Sequence, residues 1–524
     1  MRLSILLLPL CCAAALAPAS AQSLHEQAVA ESLTPVRPGV PARSPFWNAK
    51  AKQFVYAPAF EFKTVPGAAA YRFTVTGADG RERTFGAAEP WAPLSPVWAD
   101  VPVGTTNLRV EGVDGERVVG LAGERTFHRG AVFGGEYGNP VLPYAQSARV
   151  ALATVVAEPF VKRWRETGKR DPDYALYRYP SKIIGKVMTA CATYSLQDPP
   201  PADAAEALDA GRRAADYLMS ITAATGPLAG VPPTYERSGA TGRENDRWTW
   251  MMTPAEAGQG YLDLYDATKD EKYLQAAGRI AAGYARLRRP DGTWNAKVDN
   301  QTNEALSPTD LIPAEVIDFL DRVAGNYPNA PGADQAAAVR DRAVAWTRAN
   351  PLRTFNWQAQ FDDMQVRGPY QNLAKHEACM FAAYLFRTGS KEDLAAAEEL
   401  LTYAEDQFVV WGAPPASSAK YAKPDDWYTP ASTEQYAMFE PVSGSSAFMI
   451  MAYVSAYRAT GKPLHLAKAQ ALADTLTRAQ ARYNGRYPTR LYKSRDRTYW
   501  VNSTVNVIRA MRMLAAALPA GEKK

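Results

Sequence analysis

The spacing of apolar residues changes twice along this chain. Positions 3–16 form a mostly apolar stretch; between 45 and 130 apolar and polar residues alternate; from about 144 onward apolar residues recur at helical spacing. The alternating stretches are YAPAFEFKTV (56–65), AYRFTVTGADG (70–80), TNLRVEGVDG (106–115) and ERTFHR (124–129). Alternation with period two, ended by Gly or Asp turns, predicts strands. Strands at this spacing predict a small antiparallel β-sandwich over 45–130.

The helical region repeats one unit. A helix apolar nearly all round is followed by a short polar turn and then an amphipathic, Ala-rich helix. YLDLYDATKDEKYLQAAGRIAAGYARL (261–287), FAAYLFRTGSKEDLAAAEELLTYAEDQF (381–408) and MAYVSAYRATGKPLHLAKAQALADTLTRA (451–479) are three copies, and weaker ones begin near Ile183, Pro313 and Val505. Repeats of this length are stacked supersecondary units. The apolar first helix must be buried and the amphipathic second helix covers it. About six such pairs close into an inner and an outer ring, so the predicted fold is mainly α, an (α/α)6 toroid over 140–520. An open helical solenoid is the alternative, and the irregular units with long connections favour the ring.

Turns within a pair are short, whereas connections between pairs are long, at 171–182, 232–258, 292–310, 354–378, 411–441 and 484–504. Long loops in compact domains are usually functional. Each leads into an inner helix, so all gather at one end of the ring. They carry Trp248, Trp250, Trp294, Trp357, Trp411, Trp427 and Trp500. Sugar rings pack their C–H faces on aromatic planes while amides and guanidiniums bind the hydroxyls, in clefts with few convergent polar groups. The candidate substrate-binding set is Trp248, Trp250, Trp294, Trp357, Trp427, Tyr370, Tyr436, Gln371, Asn372 and Arg247. The alternative is that these aromatics pack the long loops against one another.

Glycoside hydrolysis needs two carboxyl groups across the scissile bond, one of them kept protonated by a partly apolar setting. Asp363 follows the aromatic-rich stretch FNWQAQFD, and Glu434 lies in TPASTEQY before an apolar helix. These two lead the catalytic candidates, with Asp246 and Glu236 behind them. The same mouth suits β-elimination from a uronate, in which a Tyr or His base removes a proton and cations neutralise the carboxylate. Tyr235 and His376 are the candidate bases, with Tyr428 and Tyr436 behind, and Arg243, Arg247 and Arg367 as clamps.

Composition narrows the picture further. Apolar residues make up 47% and charged residues 22%, the balance of a globular chain. The net charge of +5 is small for 524 residues and comes without a basic run, so no nucleic-acid partner is expected. Arg2, the run 3–16 and Ala19-Ser20-Ala21 form a signal peptide over 1–21, cleaved before Gln22, followed by an N-terminal extension over 22–44. The run is too short for a stable span, so a periplasmic or secreted protein without membrane insertion is expected. Cys191 and Cys379 remain after cleavage, either as one disulfide or as two buried thiols. His25, His128, His376 and His465 are scattered, and no HExxH, paired-Cys or Gly-rich phosphate motif occurs, so neither metal nor cofactor is expected. No G-x-S-x-G is present for a serine nucleophile.

The β module followed by a toroid, with MMTPAEAGQGYLDLYDATKDEKYLQAA (251–277), resembles carbohydrate-active enzymes that handle uronic acids. These are unsaturated glucuronyl hydrolases, toroid β-glucuronidases of glycoside hydrolase family 154, toroid polysaccharide lyases and glucuronyl C5-epimerases. The β module itself resembles a fibronectin type III domain, with Trp91 and Trp98 between strands. No catalytic signature of these families matches residue by residue. What the resemblance implies is a substrate class, oligo- or polysaccharides containing glucuronate or a related uronate. The leading expectation is an exported glycoside hydrolase; a polysaccharide lyase, a sugar epimerase and a non-catalytic glycan-binding protein are the alternatives.

Overall fold

The structure, a computed structural model, describes residues 22–37, 46–235, 247–358, 368–415, 423–494 and 498–519. Strands β1 (Ala70–Thr76), β2 (Glu82–Ala87), β3 (Gly104–Asp114) and β4 (Arg117–Arg129) form one antiparallel sheet in the order β2-β1-β3-β4. Tyr71, Phe73 and Val75 of β1 are buried, with half-buried residues between them. Period two therefore puts one face of the sheet on a small core, shared with Leu108, Val110 and Trp98.

The predicted sandwich has two sheets; among the described residues of this region there is one. The difference lies at 56–65, where a strand is predicted. Residues 53–60 are buried without alternation, because they run between the sheet and the helical body. On the sheet side Trp98 Nε1 donates to the Val55 carbonyl at 3.1 Å. On the other, the backbone N–H groups of Val55 and Tyr56 donate to Asp406 Oδ1 at 2.7 and 2.8 Å. Donors spent in this way cannot build a ladder, and Pro58 has none to offer.

The helical body is built from α1 (Tyr144–Val156), α2 (Pro180–Ser195), α3 (Pro201–Ser220), α4 (Pro254–Thr268), α5 (Glu271–Leu287), α6 (Ala314–Asn326), α7 (Ala333–Ala349), α8 (His376–Thr388), α9 (Lys391–Phe408), α10 (Ser443–Thr460), α11 (Pro463–Arg482) and α12 (Val501–Ala517). The even-numbered helices pack side by side in cyclic order, with α12 returning to α2. Each odd-numbered helix lies outside the even one before it, and α1 lies against α12. This is a closed (α/α)6 toroid. The first and last helices form its sixth pair, which an open solenoid would leave apart.

Turns decide which end of the ring is the mouth. An inner helix passes to its outer partner through Lys269-Asp270, Gly389-Ser390 or Gly461-Lys462. Lys269 and Gly461 take the left-handed conformation that ends a helix. Ser390 starts the next one with a reciprocal cap to Asp393. These tight turns sit at the C-terminal ends of the inner helices, so the long connections crowd the N-terminal ends.

Helix α11 is buried nearly from end to end, although it belongs to the outer ring. The helix Leu24–Ser32 covers it, and Ala28 packs on Leu464, Ala467 and Ala471. Beneath, Lys468 Nζ lies 2.9 Å from Glu31 Oε2 and 2.8 Å from Glu405 Oε2. Cys191 and Cys379 are unpaired buried thiols, each pushed up to about 12 by burial. Among the described residues no helix is long and apolar enough to cross a membrane.

Candidate active site

Three inner helices begin with the same chemistry. Pro254-Ala255-Glu256 opens α4, Pro313-Ala314-Glu315 leads into α6, and Lys375-His376-Glu377 leads into α8. Each glutamate therefore sits in the first turn, where unpaired backbone N–H groups and the helix dipole favour a carboxylate. Helices α2 and α4 approach until their backbones touch. A Cβ on Gly185 would lie 2.6 Å from the Glu256 carbonyl oxygen, and one on Gly260 2.5 Å from that of Gly185. This approach sets Glu256 Oε2 3.2 Å from Lys186 Nζ of α2.

The first turns surround a narrow hollow of about 50 Å³. Lys182, Glu256, Glu315, His376, Glu434 and Asn502 line it, with Phe448 toward the ring axis. Burial pushes the Glu315 carboxyl well above its ordinary value, and the negative charge of Glu256 pushes it the same way; Lys186 and Lys182 oppose them. Oε2 of Glu315 and both carboxyl oxygens of Glu377 are buried without a hydrogen-bond partner among the described residues. His376 Nε2 stands 3.0 Å from Glu377 Oε1 without hydrogen-bond alignment. Burial lowers Lys375 to about 8. Its Nζ donates to Ser445 Oγ at 2.7 Å and to the Glu434 carbonyl at 3.3 Å.

This arrangement has the parts for acid–base chemistry on a polar substrate. A buried carboxyl that holds its proton more tightly than usual is suited to donate it, and the half-buried Glu434 carboxyl lies in the same hollow. Lys182 and Lys375 add positive charge to the lining, and His376 adds an imidazole.

The residues singled out from sequence divide sharply. Glu434 and His376 line the hollow. Asp363, Asp246, Glu236, Arg243 and Arg367 lie outside the described residues. Tyr235 is half-buried and stacks on Trp248 with centroids 4.8 Å apart and planes at 15°. Lys297 Nζ lies 3.9 Å over the same indole. Trp248 thus has an aromatic and a cationic neighbour on its ring.

Trp250, Trp294, Trp357, Trp427 and Tyr436 are corrections, since each is at most 3% exposed. Trp294 Nε1 donates to the Tyr284 carbonyl at 3.0 Å. Tyr436 donates to Gln407 Oε1 at 2.5 Å. Trp427 packs with Val410, Phe439 and Tyr492 in a small core of its own. Loops this long need apolar anchors to stay folded, and these rings supply them. Tyr370 likewise turns inward, its hydroxyl on the Thr354 carbonyl at 2.8 Å. Asn372 is also buried: Nδ2 donates to Gln435 Oε1 at 2.6 Å and Oδ1 accepts from the Ala437 N–H at 2.7 Å. It bonds the Gln435 side chain and the Ala437 backbone on either side of Tyr436, and so ties down the segment that carries Glu434. Gln371 and Arg247 are exposed.

Lys182, Glu256, Glu315, Lys375 and Glu377 are functional candidates that loop composition does not reveal. Their signal is the recurrence of Pro-Ala-Glu at the start of two inner helices, with His-Glu-Ala at a third.

Neither protein-family models nor curated proteins give a match to the chain. Among solved structures, cellobiose 2-epimerase from Spirochaeta thermophila DSM 6192 is similar at a TM-score of 0.50 and 12% identity, over 71% of this chain and 98% of that one. A family 76 glycoside hydrolase from a bovine Bacteroides thetaiotaomicron strain follows at 0.47 and 10%, over 89% and 98%. An unsaturated glucuronyl hydrolase specific for heparin gives 0.42 and 10%, over 71% and 96%. The epimerase likeness bears on fold alone and agrees with the (α/α) toroid.

Proposed function

We propose that this chain is a carbohydrate-active enzyme, a glycoside hydrolase acting on uronate-containing sugars at the N-terminal mouth of its inner ring. The observation that carries the reading is the buried Glu315 carboxyl, raised by burial and by the charge of Glu256, in the same hollow as the half-buried Glu434. Glu315 is the general acid: its proton passes to the leaving oxygen as the glycosidic C–O bond breaks. Glu434 is the partner carboxyl that assists the incoming water or attacks the sugar carbon. Glu256 acts through its charge on Glu315 and is a positioning residue. Lys182, Lys375 and His376 receive the uronate carboxylate, which supports a charged over a neutral sugar. Cleavage of the segment 1–21 and export belong to the same reading, and the N-terminal residue of the mature protein tests them.

A second reading follows from His376 and Glu377. An imidazole 3.0 Å from a buried carboxylate is the arrangement of a base that takes a proton from carbon, as in epimerisation or elimination. One experiment separates the three. The enzyme is incubated in D2O with α- and β-linked glucuronides and uronate oligosaccharides. Hydrolysis releases reducing sugar with no ultraviolet chromophore. Elimination leaves a conjugated double bond that absorbs, and epimerisation puts deuterium on the sugar carbon without chain cleavage. Hydrolysis that is lost in Glu315→Gln and in Glu434→Gln supports the leading reading. A chromophore, or deuterium without cleavage, replaces it, and no product across the panel removes all three.

A further inference from the structure

At the opposite end of the ring the axis opens into a second hollow of about 460 Å³. Met380, Met451 and Met513 supply its apolar wall, and Phe448 is the partition, since it also lines the mouth-side hollow. Arg387, Arg458 and Arg509 stand among the lining residues with Asp318 as the one carboxylate. Protein interiors leave few voids larger than a water molecule, and this space falls within the range of small-ligand sites, about 300–1,000 Å³. Methionine walls adapt to the shape of an apolar guest.

The charge is only partly met inside the fold, through long ion pairs. Asp318 meets Arg387 Nη2 at 3.3 Å and Arg509 Nη2 at 3.5 Å, longer than the roughly 2.7–2.9 Å of a tight charge-assisted bond. Arg387 also reaches Asp321 at 3.4 Å, and Arg458 Nη2 donates to the Met513 carbonyl at 3.2 Å. Arg387 and Arg458 sit in the last turns of α8 and α10, where a cation complements the helix dipole. Arg509 lies in the middle of α12, where the dipole gives no reason for it. Arg387, Arg458 and Arg509 against Asp318 in the wall and Asp321 behind Arg387 leave an excess of one positive charge.

We propose that this hollow is a second ligand site, distinct from the mouth, that takes a small amphipathic anion. An apolar chain or ring rests on Met380, Met451 and Met513, and a carboxylate or sulfate head meets Arg458 and Arg509. The proposal does not depend on which reaction the mouth performs.

The test uses the whole chain carrying 13C-methyl methionine, titrated separately with decanoate, decyl sulfate, decanol and glucuronate. Decanoate and decyl sulfate saturate the protein and shift the methyl signals of Met380, Met451 and Met513. Decanol, lacking the charge, and glucuronate, lacking the apolar body, bind weaker by at least about tenfold. Arg458→Ala and Arg509→Ala each weaken decanoate by about tenfold, with Arg458→Gln as a second variant should an alanine variant fold poorly. Preferential binding of decyl sulfate over decanoate identifies the head group as sulfate-like, and the reverse as carboxylate-like. Decanol binding as tightly as decanoate, arginine variants that bind like the parent, shifts confined to other methionines, or no saturation each overturn the proposal.

Discussion

Lys375 shows how one side chain acquires a pH-dependent role from its surroundings. Its ammonium has Ser445 Oγ and a backbone carbonyl as neighbours, and burial lowers it to about 8 from an ordinary 10.5. The charge that would meet a uronate is therefore lost as pH rises through about 8. KM for a uronate substrate should rise above that pH, while the methyl ester of the same sugar should show no such limb. In Lys375→Met the limb should vanish and KM stay high throughout, as steady-state kinetics across pH would show. A buried Trp behaves differently. Trp357 is fully enclosed near Phe381, so Trp357→Ala should cost about 3–5 kcal/mol of stability. Denaturant unfolding checks this; loss of substrate affinity at unchanged stability would make it a binding residue after all.

At the scale of elements, the mouth depends on how closely inner helices approach. Gly185 of α2 faces the Glu256 backbone of α4, and neither can yield to a methyl group. Gly185→Ala should force the helices apart and destabilise the fold by about 1–3 kcal/mol. The same shift moves Glu256 away from Lys186 and Glu315, so turnover should fall by more than the unfolded fraction explains. A variant with parental Tm and turnover would show that the two helices have slack. The loops are elements as well. Asn372 bonds to both Gln435 and Ala437, so the segment bearing Glu434 is held as firmly as a strand would hold it.

For the whole molecule, the joint between sheet and ring rests on Asp406. Its carboxyl accepts the Val55 and Tyr56 N–H groups, and burial pushes it up to about 7 from 3.8. In the folded protein it keeps its proton over a range where the unfolded chain has lost it. Its contribution to stability is thus full below about pH 4 and is lost as pH rises through about 7. Asp406→Asn, neutral at every pH, should flatten the dependence of Tm on pH between those values and raise Tm at pH 8. An unchanged slope would place the pH dependence elsewhere.

Sequence by itself determined the ring. Apolar periodicity and the repeated turns require inner helices, outer helices and long connections at one end, since a helix apolar all round has to be enclosed. The alternating strands β1, β3 and β4 were legible because period two puts one face of a strand on a core. Tertiary structure alone decided which side chains face the hollow. Trp294, Trp357 and Trp427 lie on the loops that composition singles out, yet they point inward because long loops must bury apolar surface to stay ordered. Glu256, Glu315 and Glu377 look like ordinary first-turn carboxylates, and only the closure of six helices brings them together and raises Glu315. Likewise 56–65 alternates as a strand does, but the docking of sheet on ring uses its backbone donors first. Periodicity is a local property that a chain carries wherever it lies; burial, charge coupling and the direction a loop side chain takes depend on neighbours far away in sequence.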